Sequence, residues 1–445
     1  MLVAIALVAA ACTGGTGDTT TTKTAPGTSA PPTTAETTTT PPAPPVSLPI
    51  TASDSLSADA VAAVTVEMTE LVAEAEEIRG LPFLEPPAIA ILDGEEFAAR
   101  VTEIIAEDLD EEELAIDSRM FALLGMLDEG EDLYSLLIDL YTEQVAGFYD
   151  GDTKELVVPA ASDGFTALQR ITVLHELVHS LTDQHFDFNT ESERRYDTGT
   201  GDDASALTAL IEGDATYFQL VYLEGLSPIE ALEAVTEVFT IDTSVLDSSP
   251  PWLQADLTFP YDQGLTFVSD IVAQGGIAGV DRSYQQPPDT TEQILTPAKY
   301  ARNEQPVDLT PLTVQLMGWD VHDEGSWGEW GLRLLFLETL APGMNTQTAS
   351  GWGNDTYRVF AAGEDVAFVM HYKGDTEQDA EEVADAFIAH ARGPMNAGPA
   401  VESGGGLLYD SGAIYLFLDR VDDEVFVVAA TNPVAGADIR TQLGL

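Results

Sequence analysis

Residues 165–186 read FTALQRITVLHELVHSLTDQHF, and their apolar side chains recur at the spacing of a helix. Within this stretch, HELVH places His175 and His179 four residues apart, with Glu176 directly after the first histidine. The whole chain has only six histidines in 445 residues. Because residues four apart share one face of a helix, both imidazoles can point at a single metal ion. The stretch therefore predicts a buried helix that forms one wall of a metal site.

The residue types in HELVH indicate a zinc site with a general base. Neutral imidazoles suit Zn²⁺, which prefers nitrogen and sulfur ligands in tetrahedral sites. Glu176 lies one residue further round the helix, where its carboxylate can reach a water molecule activated by the ion. The motif is short, and the alternative is a buried helix whose histidines have ordinary hydrogen-bond partners. The uncharged residues on both sides of the motif favour the metal site.

A catalytic zinc site needs a third protein ligand, and two residues compete for that position. His185 follows His179 by six residues, the spacing of H-E-x-x-H-x-x-G-x-x-H, but Thr182 stands where that pattern has glycine. On a continued helix, His185 would point about 80° away from the direction of His175. The other candidate is Glu212, in the apolar run ALIEGDATYF. An unpaired buried carboxylate is very costly, and a metal ion would give it a partner, so we favour Glu212.

Several segments resemble a family of bacterial secreted or lipid-anchored zinc metallopeptidases of the gluzincin type. The similarity runs from about residue 140 to 360 and is carried by GFYDGDTKELVV, LHELVHSLTDQHFDF, LIEGDATYF, FPYDQGLTFV, PPDTTEQILTPAKY and GWGNDTYRVF. The resemblance implies a zincin-like core in which His175, His179 and Glu212 are the metal ligands. It also implies that Glu176 is the catalytic residue. One difference is Thr296, where relatives typically have histidine.

The pattern around the motif predicts an α+β fold that is predominantly α. Two short β-prone runs within 146–160, around an Asp150-Gly151 turn, indicate a hairpin directly before the HELVH helix. Helical periodicity dominates most of the chain from about residue 56 to 300. Within that region we expect a polar loop at 190–203 and an irregular, proline-rich segment at 244–262.

The last part of the chain changes character and indicates a second unit. After a helix near 328–341, alternating apolar runs and one amphipathic stretch predict a small α+β unit. We therefore place a zincin-like metallopeptidase domain at 50–325 and a C-terminal α+β unit, packed on that domain, at 326–445.

Other parts of such a site have several candidates in the sequence. A hydrogen-bond donor for the developing oxyanion is usually a Tyr, His or Arg, and the sequence does not choose among Tyr149, Tyr261 and His185. Metal-bound imidazoles are commonly oriented by carboxylates, and the candidates are Asp183, Asp187 and Asp214. Each of these aspartates can equally be a solvated or capping residue.

The strand ELVVP at 155–159 is our candidate for substrate binding. Zinc peptidases commonly hold an extended substrate along an edge strand near the active-site helix, by backbone pairing. The alternative is a hairpin with a structural role only.

The first twelve residues, MLVAIALVAAAC, resemble the signal and lipobox of a bacterial lipoprotein. The apolar run is too short to span a bilayer, and Cys12, the only cysteine, follows it directly. In lipoproteins the signal is cleaved before this cysteine, which then carries a lipid anchor. The alternative is a plain signal peptide with an incidental cysteine. Residues 13–49 are rich in Thr and Pro and predict a disordered tether, with the body at the outer face of the bacterial cell membrane or secreted.

The chain carries 76 acidic and 17 basic residues, a formal net charge of −59. Such a charge repels phosphates, so we exclude nucleic acid as a partner. A peptide or protein substrate, and the membrane through a lipid on Cys12, are the expected partners; the sequence does not indicate an oligomeric state. The predicted function is peptide hydrolysis by a surface-anchored zinc metallopeptidase. The alternatives are a catalytically silent, zinc-binding envelope lipoprotein with a binding or structural role, and a zinc hydrolase acting on another amide.

Overall fold

The computed structural model describes residues 48–144, 147–159 and 164–445. The predicted signal at 1–12, the lipidation site Cys12 and the predicted tether up to residue 47 lie outside the described residues. Within the described ranges, no helix is both long enough and apolar enough to cross a membrane. The fold is α+β and predominantly helical, as the sequence predicts.

The part of the chain that the structure describes contains eleven strands in two sheets. The strands are β1 (Ile50–Ala52), β2 (Ala88–Leu92), β3 (Phe148–Asp150), β4 (Glu155–Pro159), β5 (Asp320–Gly325), β6 (Trp352–Ala362), β7 (Asp365–Gly374), β8 (Ala400–Ser403), β9 (Gly406–Asp410), β10 (Tyr415–Val421) and β11 (Glu424–Ala430). The first sheet has the order β1-β2-β4-β3, and the second has the order β5-β6-β7-β11-β10-β9-β8.

Helices pack on both sheets and make up most of the described backbone. Across the described ranges they are α1 (Ala58–Arg79), α2 (Gly94–Asp108), α3 (Glu111–Leu123), α4 (Leu133–Gln144), α5 (Ala167–Phe186), α6 (Phe188–Thr198), α7 (Asp202–Gly225), α8 (Pro228–Val238), α9 (Ser244–Ser248), α10 (Pro251–Gly275), α11 (Ile277–Gln285), α12 (Thr291–Leu295), α13 (Pro297–Ala301), α14 (Gly328–Leu335), α15 (Met344–Ala349), α16 (Glu377–Arg392) and α17 (Pro433–Leu443).

The four-stranded sheet lies between two helical layers. Its strands β1, β2 and β4 run parallel, and β3 pairs antiparallel with β4. Because successive residues of a strand point to opposite faces, Ile89 and Leu156 pack with α1 and α5, whereas Ala90 and Val157 pack with α2. The sheet therefore supports α5, the helix that carries HELVH, along one face.

The hairpin predicted before this helix is confirmed. β3 and β4 pair antiparallel, with Asp150 opposite Glu155. Lys154 closes the turn in the left-handed region, with φ of 57°. The chain then enters α5, so the predicted order of strand, strand and HELVH helix holds.

The polar loop expected at 190–203 is wrong, because most of it belongs to α6 (Phe188–Thr198). This helix has few apolar residues, so its sequence lacks the apolar periodicity that predicts a helix. Its backbone is supported by ion pairs one turn apart, from Glu191 to Arg194 and to Arg195. Arg195 is also buried and donates to the carbonyl oxygens of Asp203 and Pro288.

The irregular segment expected at 244–262 is also wrong, since it folds into α9 and the first half of α10. Pro251 occupies the first turn of α10, where a proline costs no hydrogen bond. Pro260 lies inside the helix, and α10 nevertheless continues to Gly275 because it buries large side chains such as Trp252 and Phe259. Tertiary packing here overrides the local preference of proline.

The seven-stranded antiparallel sheet forms the last part of the chain and has helices on both faces. Phe368 packs with α16 on one face, and Val369 packs with α17 on the other. The predicted domain boundary at residue 326 falls directly after β5, the first strand of this sheet. The core under α16 continues into residues of α3 and α10, such as Met120 and Trp252, so the two predicted parts share buried apolar surface.

Candidate metal centre

The HELVH motif lies in the buried middle of α5. The helix begins with a capping box in which the side chains and backbones of Thr166 and Gln169 bond reciprocally. It is buried without interruption from Ile171 to Asp183, because the four-stranded sheet lies on one side and α7 on the other. His175 is 1%, Glu176 0% and His179 3% exposed. The sequence therefore places two imidazoles and a carboxylate where solvent does not reach.

The second element of the centre is α7, which carries Glu212 at 1% exposure. α7 packs tightly on α10 where two glycines meet: a methyl group on Gly213 would lie 2.3 Å from the backbone of Gly264. A methyl group on Gly264 would lie 2.0 Å from the carbonyl oxygen of Ala209. Only glycine permits this approach, and it brings Tyr261 on α10 beside Glu212 on α7.

His175, His179 and Glu212 converge on one point. The Nε2 atoms of the two histidines lie 3.0 Å apart. Oε2 of Glu212 lies 3.1 Å from Nε2 of His175 and 3.4 Å from Nε2 of His179. Among the described residues, this is the one group of three or more such side chains whose donor atoms could hold a metal ion. The structure thus brings together the three residues that the sequence analysis selected.

The hydrogen bond behind His175 explains why these atoms need a cation between them. Nδ1 of His175 lies 2.9 Å from Oε1 of Gln219, an oxygen that only accepts, so Nδ1 carries the proton and donates it. Nε2 of a neutral His175 then presents a lone pair to the carboxylate of Glu212 and to His179. Three lone pairs at these separations repel one another unless a proton or a metal ion lies among them.

The charges of the cluster lead to the same conclusion. Burial opposes ionisation of His179 and of Glu212, but the carboxylate of Glu212 raises the pKa of His179, and His179 lowers the pKa of Glu212. Burial lowers the pKa of His175. The cluster therefore favours a positive charge at its centre.

The donor set fits a zinc ion. With ligand bonds of 2.0 to 2.1 Å, the donors of a tetrahedral zinc site are separated by about 3.3 Å. The three separations in the cluster, 3.0, 3.1 and 3.4 Å, lie close to that value. Two imidazoles and one carboxylate are also the ligand types that this ion accepts. The buried group could therefore hold a metal ion without large movement of its side chains.

Glu176 is held beside the cluster by a single hydrogen bond. The backbone N–H of Tyr149 on β3 donates to its Oε2 at 2.9 Å. Among the residues that the structure describes, no group is hydrogen-bonded to its buried Oε1. Burial raises the pKa of Glu176 to about 8. A carboxyl group with one oxygen fixed and the other free is arranged to exchange a proton with a small molecule in the site.

The other predicted site residues are not members of the cluster. His185 contacts the carbonyl oxygen of Pro82 at 2.7 Å through Nε2, so it is not a member of the cluster. Of the three aspartates, Asp187 ends α5, while Asp183 and Asp214 are buried with partners other than the two histidines. Gln219 holds His175 instead. Thr296 lies between α12 and α13.

The two tyrosines proposed as donors have different surroundings. The hydroxyl of Tyr149 donates to Asp183 at 2.9 Å, so it fixes β3 on α5. The ring of Tyr261 lies 6.3 Å from the ring of His175, and its hydroxyl bonds to Glu212. Burial raises the pKa of Tyr261 well above its ordinary value, so the hydroxyl keeps its proton and can donate it in a hydrogen bond.

A small hollow adjoins the cluster. Its volume is about 10 Å³, enough for about one water molecule, and its walls are Tyr149, Gly151, His179, Phe188, Asn189, Ile211 and Glu212. The hollow therefore borders two of the three donor residues and has room for a water-sized molecule beside them.

The prediction that ELVVP is an edge strand is wrong. β4 lies between β2 and β3, so both of its sides are already paired. The edge of the sheet next to α5 is β3, whose Tyr149 N–H points away from β4 to Glu176. From the sequence alone, either strand of the hairpin could be the edge of the sheet. The strand that pairs with β4 and makes it central, β2, lies more than 60 residues earlier in the chain.

The comparisons with known proteins bear on a different part of the chain. Residues 315–440 match a family described as a domain of unknown function (DUF8575). This range covers nearly all of the seven-stranded sheet and its helices. No curated protein and no solved structure matches the chain. The matched range includes neither α5 nor α7, so the evidence for the metal centre is its own geometry.

Proposed function

We propose that the chain is a zinc-dependent metallopeptidase of the gluzincin type. The observation that carries the proposal is a buried cluster of three donors with a carboxylate next to it, Glu176, that has one oxygen without a partner. A site that only stored or bound zinc would not need this second carboxylate. The sheet, the helix with HELVH and the following helix with Glu212 are the parts expected of a zincin-like core.

In this proposal, His175, His179 and Glu212 hold the ion and Glu176 moves the proton. The chemistry that zinc supplies when bound is Lewis acidity toward a water molecule and toward the carbonyl oxygen of the substrate. Glu176 accepts a proton from the attacking water at Oε1, while the N–H of Tyr149 keeps its other oxygen in place. Glu176 then gives the same proton to the nitrogen of the leaving amine as the peptide C–N bond breaks. Gln219 keeps the proton of His175 on Nδ1.

The substrate would lie along β3. This strand is the edge of the sheet that faces α5; because its outward Tyr149 N–H is bonded to Glu176, the peptide would lie beside the strand without pairing to that donor. With a lipid on Cys12 and the tether that follows it, the enzyme would act at the outer face of the bacterial cell membrane.

The ligand assignment is tested by the zinc content of the purified chain. Wild type and His185→Ala should bind zinc in a 1:1 ratio by elemental analysis, and Glu212→Ala should lose most of it, because only Glu212 belongs to the cluster. Zinc lost from His185→Ala and kept by Glu212→Ala would overturn the assignment.

The activity is tested with an unbiased peptide library and zinc-loaded protein. Wild type should cleave library members, and Glu176→Gln should not, although it binds zinc equally well. No cleavage by wild type would favour the silent, zinc-binding lipoprotein. Hydrolysis of a cell-wall amide in place of the peptides would favour a zinc hydrolase with a different substrate.

A further inference from the structure

Arg79 is a fully buried cation in the last turn of α1. Its Nε lies 3.2 Å from Oδ2 of Asp214, and its Nη1 lies 2.8 Å from Oδ1 of Asp281. The centre of its guanidinium lies 5.2 Å from the ring centre of Phe218. Burying an ion pair costs desolvation energy that the attraction often does not recover. Stability alone therefore gives little reason for an arginine at this position.

Asp214 connects Arg79 to both helices of the metal centre. It lies two residues after Glu212 on α7 and is fully buried. Its Oδ2 also accepts hydrogen bonds from Tyr284 on α11, at 3.1 Å, and from Thr182 on α5, at 3.4 Å. One carboxylate oxygen thus connects α1, α5, α7 and α11 within about one helical turn of Glu212.

The cluster depends on the spacing of α5 and α7. His179 comes from α5 and Glu212 comes from α7, and their donor atoms lie 3.4 Å apart. Ligand distances at a zinc ion tolerate changes of only about 0.2 Å, so a small shift between the helices weakens binding. Thr182 lies three residues after His179, which places the contact with Asp214 next to the ligand positions on both helices.

The pair is not arranged for maximal stability. Among the described residues, Nη2 of Arg79 and Oδ1 of Asp214 have no hydrogen-bond partner although both atoms are buried. Buried polar atoms without a hydrogen-bond partner lower the free energy of unfolding. A contact that served stability alone would have no reason to contain them.

We propose that Arg79 and Asp214 are positioning residues for the metal centre. They hold α7 against α5 at the separation at which His179 and Glu212 bind one ion. This inference rests on the proposed metal site and adds to it a helix, α1, that has no residue in the cluster.

The chain offers a matched control in Arg170. This arginine also joins α1, α5 and α7, through Glu67 at 3.7 Å and the hydroxyl of Tyr222 at 3.4 Å. It lies five residues before His175, and Tyr222 lies ten residues after Glu212, so the contact is far from the cluster. Loss of a contact that joins these three helices should appear in Arg170→Met as well as in Arg79→Met, although the pair at Arg170 is partly exposed and contributes less to stability.

The test measures zinc affinity by competition with a chelator, together with the free energy of unfolding of the apoprotein. Asp214→Asn and Arg79→Met should bind zinc about 10 to 100-fold more weakly than wild type, the range seen when the support of a ligand is removed. Tyr284→Phe, which removes one hydroxyl and keeps the packing, should weaken binding severalfold. Arg170→Met should stay within twofold of wild type. Wild-type affinity in folded Asp214→Asn and Tyr284→Phe, or equal losses in Arg170→Met and Arg79→Met, would overturn the inference.

A second readout does not depend on zinc. The imidazole nitrogen signals of His175 and His179 in the apoprotein, measured by NMR, should move in Tyr284→Phe and Asp214→Asn and stay in place in Arg170→Met. Unmoved signals in all variants would contradict the positioning role. If wild type itself binds no zinc, the proposed function fails, and the NMR result still decides whether Arg79 and Asp214 position the two histidines.

Discussion

Two buried carboxylates, one in each sheet-containing part of the molecule, have opposite surroundings. Asp355 on β6 is 3% exposed and accepts four hydrogen bonds, from Trp352 Nε1 at 2.7 Å and from groups of residues 326–328 at 2.9 to 3.0 Å. Glu176 on α5 is 0% exposed and accepts one, from Tyr149. Burial raises the pKa of both groups. A carboxylate saturated with donors stabilises the fold, whereas one with an unbonded oxygen beside the candidate metal centre can still accept a proton or a hydrogen bond.

The buried histidines of the two parts differ in the same way. His390 on α16 contacts the carbonyl oxygen of Leu124 through Nε2 at 2.6 Å and the hydroxyl of Thr339 through Nδ1 at 2.5 Å. A neutral imidazole satisfies both contacts, donating to the carbonyl and accepting from the hydroxyl. His175 and His179 instead turn Nε2 toward each other and toward a carboxylate. Burial alone therefore does not mark a candidate functional residue; a mismatch between hydrogen-bond donors and acceptors does.

Of the variants that distinguish the roles of Glu176 and Asp355, we expect the largest effect from Glu176→Gln. The amide keeps the contact with the Tyr149 N–H but cannot take a proton from water, so peptide hydrolysis should fall about 10³-fold or more. The free energy of unfolding should stay within about 1 kcal/mol of wild type or rise, because a buried ionisable group is removed. Steady-state kinetics and denaturant unfolding measure the two quantities. Retained hydrolysis would remove Glu176 from the mechanism.

Asp355→Ala should show the reverse pattern. Four donors lose their acceptor in a buried site, so the free energy of unfolding should fall by about 3 kcal/mol or more. Zinc affinity of the folded fraction should change little, because the hydrogen-bond partners of Asp355, residues 326–328 and Trp352, are not among the donors of the candidate metal centre. Urea unfolding measures the loss, and zinc titration of the folded protein provides the control. A loss below about 1 kcal/mol would mean that saturation with hydrogen bonds is not what holds this carboxylate.

The sequence predicts the residues of the candidate metal centre better than it predicts the residues that hold them in position. HELVH fixes three residues through helical geometry alone, and the cost of burying Glu212 points to the third ligand position. Gln219 lies seven residues after Glu212 and therefore on the same face of α7, a spacing that could have pointed to it. Arg79 gave no such signal, because its partners lie 135 and 202 residues further along the chain.

The same holds for the fold: elements with short-range sequence signals were predicted, and those that depend on distant segments were not. The hairpin and α5 were predicted because their signals lie within a few residues of one another. The parallel pairing of β2 with β4 joins Ala88 to Glu155 across 67 residues, and it decides that β4 is central. The helix α10 continues past Pro260 because it buries large side chains and packs closely on α7 at Gly264. Nothing local to these segments carries that information.

The contrast between His175 and the structural His390 is tested by Gln219→Leu. Loss of the amide oxygen leaves Nδ1 of His175 without its acceptor and frees the ring to turn, so zinc affinity should fall about tenfold or more. Gln219→Glu keeps an acceptor and should bind zinc at least as tightly as wild type. The matched change at the structural histidine, Thr339→Val, should lower stability without changing zinc affinity. Chelator competition measures the affinities, and equal values for Gln219→Leu and wild type would contradict the role of Gln219.

The smallest expected effect concerns the contact between the two parts of the molecule. His322 on β5 lies 2.8 Å from Oδ1 of Asp117 on α3, and this hydrogen bond raises the pKa of His322 above its ordinary value of 6.5. Since the folded state binds the proton more tightly, the contribution to stability is complete below pH 6.5. It is lost as the pH rises through the raised pKa.

Wild type should therefore exceed His322→Gln in free energy of unfolding by less than about 1 kcal/mol at pH 5.5, and the difference should vanish in alkaline solution. Asp117→Asn should show the same pH dependence, and the double variant should add nothing further, because both changes remove one ion pair. Urea unfolding across this pH range measures the difference. A difference that does not vary with pH would mean that His322 holds β5 on α3 by packing, and that the two parts of the molecule are joined by their shared apolar core.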